Sequence, residues 1–325
     1  MMAGQLSIAK ALNEALRKSL ENDPKTVLMG EDIGKLGGVF RITDGLQKDF
    51  GEDRVIDTPL AESGIMGTAI GLALRGYRPV VEIQFDGFVY PAFDQIVTQL
   101  AKMHARALGH VKLPITVRIP YGGGIGAVEH HSESHEAYFA HTAGLRVVSP
   151  SNAHDAHWML RQAIESDDPV IFLEPKRRYW DKGEVGDAAD LDAHSARIVR
   201  PGADATLIAY GPMVKVCLEA AAAAEEDGRR LEVVDLRSLS PVDFATLEES
   251  VKRTGRAVVV HEAPVFLGMG AELAARLTER CFYHLEAPVL RVGGYFAPYP
   301  PSRVEEAFLP DLDRVLDAVD RALAY

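Results

Sequence analysis

Cysteine is nearly absent from this chain of 325 residues: Cys217 and Cys281 are the only two, far apart and without a CxxC spacing. That excludes a disulfide framework and a zinc knuckle, and leaves both as small apolar residues inside helices. No apolar run approaches the roughly 18 residues of a membrane span. The longest, around Ala220–Ala224, stops at Glu225, Glu226 and Asp227. Positive charge is in deficit, with 35 Lys and Arg against 47 Asp and Glu and a net charge of −12. Binding nucleic acid needs a basic face, so that class of partner is excluded. The N-terminus lacks the charged-then-apolar order of a signal peptide. Its Leu6, Ala9, Leu12, Leu16 and Leu20 recur at helical spacing, and Glu14 and Glu21 do not belong in a transit peptide. The expected location is the cytoplasm. Several chemical signatures are missing as well. There is no HExxH, no GxSxG elbow and no GxxxxGK phosphate loop. After Gly122 and Gly124, the third glycine of a dinucleotide fingerprint falls on Ala127.

What is present is alternation. The length suggests two domains, and 47% apolar residues suffice for two cores. Strand-like runs at 26–30, 54–56, 79–84, 115–119, 145–149 and 170–173 alternate with helical patterns near 62–75, 89–108 and 152–166. Such alternation predicts an α/β fold with a parallel sheet covered on both faces. The chain then turns rich in Asp, Gly and Ala, with no strong period. The expected organisation is a first domain over 1–182, a linker over 183–200 and a second, smaller α/β domain over 201–325. Strands at 206–210, 231–236, 257–261 and 289–292 and helices near 213–227, 242–254, 268–281 and 312–324 build the second.

Three motifs carry the chemistry. In DTPLAESGIMGTAIGLALRG, a strand ends, Pro59 turns the chain and a helix begins near Glu62. Alone, Glu62 would read as a carboxylate compensating the helix dipole. The helix, however, carries Gly64, Gly67 and Gly71, with Ala69 and Ala73, at spacings of three and four. Glycine costs about 1 kcal/mol per helix position relative to alanine, which implies close approach of another backbone, such as a helix of a second subunit. In VEIQFDGFVYPAFDQIVTQLAKM, a strand delivers Glu82 and Gln84 to its carboxyl end, the edge where open α/β sheets bind ligands. Phe88, Tyr90 and Phe93 nearby suit either a flat ring or the core. In YGGGIGAVEHHSESHEAYFAH, a glycine-rich loop leads to His130, His131 and His135 among Glu129, Glu133 and Glu136. These match no metal-ligand spacing, and they read either as surface histidines of a polar loop or as a proton-transfer group, the usual work of a loop histidine near neutral pH. His261 and Glu262, at a strand end, read as structural.

Together with GEDIGKLGGVFRIT, DPVIFLEPK, VVDLRSLSPVD, GRAVVVHEA and LEAPVLRVGGYFAPYP, these motifs run in order along nearly the whole chain. In that order the sequence resembles the β subunit of thiamine-diphosphate-dependent 2-oxoacid dehydrogenases. The resemblance implies a pyrimidine-binding first domain and a transketolase-type C-terminal domain. It places Glu62 on the cofactor's pyrimidine nitrogen, favouring the imino tautomer that removes the thiazolium proton. It also places Leu60, Gln84 and Phe88 around the pyrimidine, with His131, and less firmly His130, facing the reaction intermediate to assist acyl transfer. It implies a potassium site at Leu113, Ile115, Thr116, Ala163, Ser166 and Asp168. The GDG motif that anchors Mg²⁺ and the diphosphate is missing: Gly186-Asp187-Ala188 lacks the second glycine. In two-chain members that motif belongs to the α subunit, so half a site is expected here, in an α₂β₂ heterotetramer docked on a dihydrolipoamide acyltransferase core. HHSESHEAYFAH, FLEPK and GYFAPYP are more similar to branched-chain members, acting on acids such as 3-methyl-2-oxobutanoate, than to pyruvate members. A pyruvate or acetoin enzyme and a non-catalytic scaffold subunit are the alternatives.

Overall fold

The computed structural model describes residues 4–325 and divides into two compact units. One holds the chain up to Tyr121 together with Tyr138–Ala193. The other holds Gly122–Ala137 together with His194–Tyr325.

The first unit starts with β1 (Gly4–Ser7) and α1 (Ile8–Asn22). Ser7 caps the helix by accepting from the Lys10 amide, as its short hydroxyl at an N-cap favours. Leu12, Leu16 and Leu20, at spacings of four, are buried on one face. Burying each contributes about 2 kcal/mol. That face packs on α7 (Ala153–Glu165), which is capped by Asn152. Between them in sequence come β2 (Thr26–Gly30), α2 (Leu46–Phe50), β3 (Val55–Asp57), α3 (Glu62–Leu74), β4 (Arg78–Glu82), α4 (Tyr90–Asp94), α5 (Ala101–Arg106), β5 (Thr116–Tyr121), α6 (Glu136–Ala140) and β6 (Arg146–Val148). β7 (Val170–Pro175) and β8 (Lys182–Val185) follow α7. The main sheet of the first unit runs in the order β6-β7-β5-β4-β2-β3, all parallel. Central strands read TVLMG, TVRIPY and VIFLEP, near-continuous apolar runs suited to burial on both faces. From β2 the chain steps to β3 on one side and then crosses to β4 on the other. The order therefore reverses at the β2–β4 crevice, the position where such sheets bind ligands.

Two buried ionic groups tie the central strands together. Arg118 on β5 donates to Glu82 at the end of β4 (2.6 Å) and to both oxygens of Glu174 on β7 (2.7 and 3.1 Å). Burial opposes the Arg118 charge, but Glu174 and Glu82 outweigh it and hold the guanidinium protonated beyond its ordinary range. Burial pushes Glu82 up, while Arg118 pulls it down. Lys176 meets Asp86 at 2.8 Å, both wholly buried. Removing one partner of such a pair costs about 3–5 kcal/mol, because the other charge is left in low dielectric.

The helix expected over 89–108 is broken. α4 gives way to a π-helical stretch over Gln95–Leu100 before α5. Thr98 Oγ1 donates to the Asp94 carbonyl at 2.7 Å, a bond that competes with the regular ladder. The segment expected as a linker, 183–200, carries structure at both ends. β8 pairs antiparallel with β1, and β9 (Arg197–Arg200) pairs antiparallel with β11 (Leu231–Asp235).

The second unit has a five-stranded sheet that also includes β10 (Ala205–Ala209), β13 (Ala257–Pro264) and β14 (Leu290–Gly294), in the order β14-β13-β10-β11-β9. β12 (Ser238–Ser240) is a short strand after β11. The helices are α8 (Met213–Glu226), α9 (Phe244–Thr254), α10 (Met269–Cys281), α11 (Glu305–Phe308) and α12 (Leu312–Leu323). Cys217 and Cys281 are free thiols buried in α8 and α10. Among the described residues, no helix is long and apolar enough to cross a membrane.

Candidate active site

Three adjacent parallel strands deliver the first group of candidates. In the register, Gly30 of β2 lies opposite both Asp57 of β3 and Glu82 of β4. Glu31 follows β2, Leu60 and Glu62 follow β3, and Gln84 follows β4, so all four come to one carboxyl edge at the switch point. Glu62 occupies the first turn of α3 and is only 7% exposed, whereas Leu60 just before it is 81% exposed. Gln84 Nε2 donates to Asp32 Oδ2 at 3.0 Å, and Phe88 meets the edge of Phe85 with ring centroids 6.1 Å apart. Phe85 in turn meets Phe40. Phe93 is drawn instead into a cluster with Tyr138 and Phe139. The EDIGKLGG loop is pinned by the Gly34 amide on Asp57 Oδ1 at 2.6 Å and by Thr43 Oγ1 on the Ile33 carbonyl at 2.7 Å.

Glu31 was not singled out from the sequence, although the quoted GEDIGK string contains it. Burial pushes its carboxyl above the ordinary range, the charges of Glu62 and Asp32 push the same way, and a hydrogen bond from the Ala61 backbone offsets them in part. Its Oε1 is buried with no hydrogen-bond partner among the described residues. A buried acceptor without a donor is the position that an amino group or protonated ring nitrogen of a ligand would satisfy. With Glu62 beside it and the exposed apolar face of Leu60 adjacent, the residues suit an aminopyrimidine.

The histidine loop belongs to the second unit. Glu129–His131 form a 3₁₀ turn, with the His131 amide on the Val128 carbonyl and the rings of His130 and His131 at 4.2 Å. His131 Nδ1 lies 3.0 Å from the His130 carbonyl. His135 is buried and lies 3.3 Å from Glu133. Glu136, also buried, accepts from Tyr210 at 2.5 Å; burial raises its carboxyl and Tyr210 partly offsets this. The loop histidines form no ligand cluster. Among the described residues such a cluster joins His154, Asp155 and Asp190. There the imidazole is already held by Asp190 and by the Gly186 amide.

The residues expected to hold potassium lie in the first unit. The Leu113 carbonyl accepts from Ile115, that of Ile115 from Val170, and that of Ala163 from Ser166. The Ser166 carbonyl accepts from Arg78 Nη1 at 2.9 Å, and Thr116 opens β5. A carbonyl has two lone pairs, so those that accept a backbone amide keep one for an ion, whereas the Arg78 charge at Ser166 opposes a cation there. The Asp168 charge is met by Arg146 at 2.7 Å.

Residues 4–181 match the transketolase pyrimidine binding domain and residues 194–315 the transketolase C-terminal domain. Over 98% of its length the chain is 62% identical to the pyruvate dehydrogenase E1 component subunit beta of Leifsonia xyli subsp. xyli, 95% of which is covered. The chain belongs to the β subunits of 2-oxoacid dehydrogenases. Other relatives in this family bear a different substrate in their names. The 3-methyl-2-oxobutanoate dehydrogenase subunit beta of Mycobacterium tuberculosis is 54% identical, with 98% of this chain and 92% of the relative covered. The 2-oxoisovalerate dehydrogenase subunit beta of Pseudomonas aeruginosa is 46% identical, with 98% and 95% covered. Among solved structures, a split-gene transketolase, described as an inactive β4 tetramer, matches with a TM-score of 0.81, 24% identity and 99% of each chain covered. That likeness establishes the fold. The transketolase-like α/β architecture expected from sequence is thus shown, and the family is thiamine diphosphate dependent.

Proposed function

We propose that this chain is the β half of an α₂β₂ enzyme that oxidatively decarboxylates a branched-chain 2-oxoacid and passes the acyl group to lipoyl on an acyltransferase core. The observation that carries the reading is the carboxylate pair at the switch point: Glu62 on the first turn of α3, beside a Glu31 whose buried Oε1 lacks a donor. Thiamine diphosphate supplies the electron sink for decarboxylation. Glu62 would accept a hydrogen bond from the pyrimidine nitrogen, and its near-burial would strengthen that bond. Leu60 and Phe88 would line the ring, and Gln84, held by Asp32, would orient it. His131, an imidazole able both to take and to give a proton, holds or gives one during acyl transfer. The Mg²⁺ ligands come from the α subunit, since the GDG motif is missing here. Leu113, Ile115, Thr116, Ala163, Ser166 and Asp168 hold potassium, and exchanging potassium for sodium lowers the melting temperature; equal melting in both salts refutes that site.

Pyruvate is the second reading, favoured by the 62% identity to a relative named for it. The branched acid is supported by the relatives at 54% and 46% and by the HHSESHEAYFAH and GYFAPYP strings. Glu62→Gln keeps the shape and removes the charge. In complex with the α chain it should assemble normally and lose about a hundredfold or more in rate, within the range of general acid–base contributions. A scaffold subunit would show no change, and full activity in the variant overturns the assignment.

A further inference from the structure

The second sheet has a switch point of its own. From β10 the chain goes to β11 on one side, and later to β13 on the other. The crevice at the carboxyl ends of β10 and β13 is where a sheet of this type would bind a ligand. Tyr210 follows β10, and Glu262 lies in β13. Both hold the chain's own histidine-bearing segment, through Glu136 and the Gly123 amide.

We propose that this edge is a built-in clamp on the loop 122–137, with Glu305 and Glu262 as positioning residues for His131. The inference rests on the acyl-transfer role given to His131 above. The glycine-rich stretch that fits no nucleotide fingerprint is an anion-binding nest. Gly122 and Gly124 have φ of +82° and +83° on either side of Gly123, which turns successive amides toward one side. The anions are carboxylates of the same chain. Glu262 Oε1 accepts from the Gly123 amide. Glu305, at the start of α11, accepts from the Gly124 amide at 2.8 Å and from the Gly126 amide at 2.9 Å. Tyr299 Oη adds a third bond to Glu305 at 2.6 Å, and the Tyr299 ring fills the space a side chain at Gly123 would need. Hydrogen bonds to ionised acceptors are roughly twice as strong as neutral ones, so the clamp is firm. At the loop's far end, the Gly122 amide bonds the Glu133 carbonyl at 2.9 Å, and Glu136 bonds Tyr210. His130 and His131 sit on the turn between these two fastenings. A catalytic group displaced by about 1 Å can lose a hundredfold in rate, so fixing the turn has kinetic value.

The test uses the α₂β₂ complex carrying Glu305→Ala, Glu305→Gln or Tyr299→Phe. Three quantities are read: amide hydrogen exchange over residues 122–135, 2-oxoacid oxidation by a redox dye, and kcat and KM for acylating a free lipoyl domain. For Glu305→Ala we expect exchange at Gly124 and Gly126 to quicken by about tenfold or more. We also expect lipoyl-domain kcat to fall about tenfold, with dye reduction within about twofold of the parent. Glu305→Gln, which keeps one acceptor oxygen, should recover part of both losses, and Tyr299→Phe should show a smaller effect in the same direction. Unchanged exchange overturns the clamp. Quickened exchange with intact lipoyl transfer, or equal falls in both half-reactions, overturns the positioning role. His131→Ala run alongside separates the two readings. A full lipoyl rate there refutes the role of His131, whereas the exchange data judge the clamp alone.

Discussion

His261 shows how far a residue's environment can depart from its sequence context. It ends an apolar strand run, AVVVH, and reads as structural. In the fold it is wholly buried, its Nδ1 lies 2.9 Å from the Ala263 carbonyl, and its Nε2 has no partner among the described residues. Burial, with a smaller push from the Arg291 charge, lowers its pKa to about 4. The folded value lies below the unfolded one, so its contribution is complete above about pH 6.5 and is lost as pH falls toward 4. The amount at stake is about 3 kcal/mol. His261→Gln should be less stable than the parent at pH 7, and the gap in melting temperature should narrow steadily down to pH 4.5. A gap independent of pH contradicts this account. Glu262, its neighbour, was equally opaque in sequence, because its partner amide at Gly123 lies 139 positions away. Glu62 and His131 stood out because each sat in a dense motif, whereas Glu31 needed the fold to reveal its unpaired oxygen.

At the level of elements, most helices and central strands were legible from periodicity, because the core enforces it. The edge strands β1, β8 and β9 were not. They are short and mostly half-exposed, and their pairing is set by distant partners. The π-helical stretch was hidden too, since it keeps helical spacing of apolar residues. α3 is more informative: it is apolar all round, a pattern that belongs to a helix covered on every side. Yet Gly64, Gly67, Thr68, Gly71 and Leu74 are exposed, and a Cβ at Gly67 or Gly71 would meet nothing within 4 Å. Within this chain Gly67→Leu is therefore harmless, and removing a helical glycine gains up to about 1 kcal/mol. In the complex the same leucine should block close helix packing. Co-purification of the α chain should be lost while the β chain stays folded by circular dichroism. Retained co-purification would place the α-chain contact elsewhere.

For the molecule as a whole, the family was legible because its motifs occur in order along nearly the entire chain, and two matched domains cover 4–181 and 194–315. The allegiance of residues 122–137 to the second unit was not, since the carboxylates that hold the loop come from beyond residue 260. Substrate choice was not legible either: chains sharing these motifs are named for both pyruvate and branched acids. The central claim concerns half of a shared site. Its most direct test is to purify the tagged chain with its α partner and assay decarboxylation of 3-methyl-2-oxobutanoate and pyruvate side by side. The account predicts turnover that requires both thiamine diphosphate and the second chain, with the branched acid preferred. Absence of turnover with either acid, despite bound partner, cofactor and Mg²⁺, would contradict it.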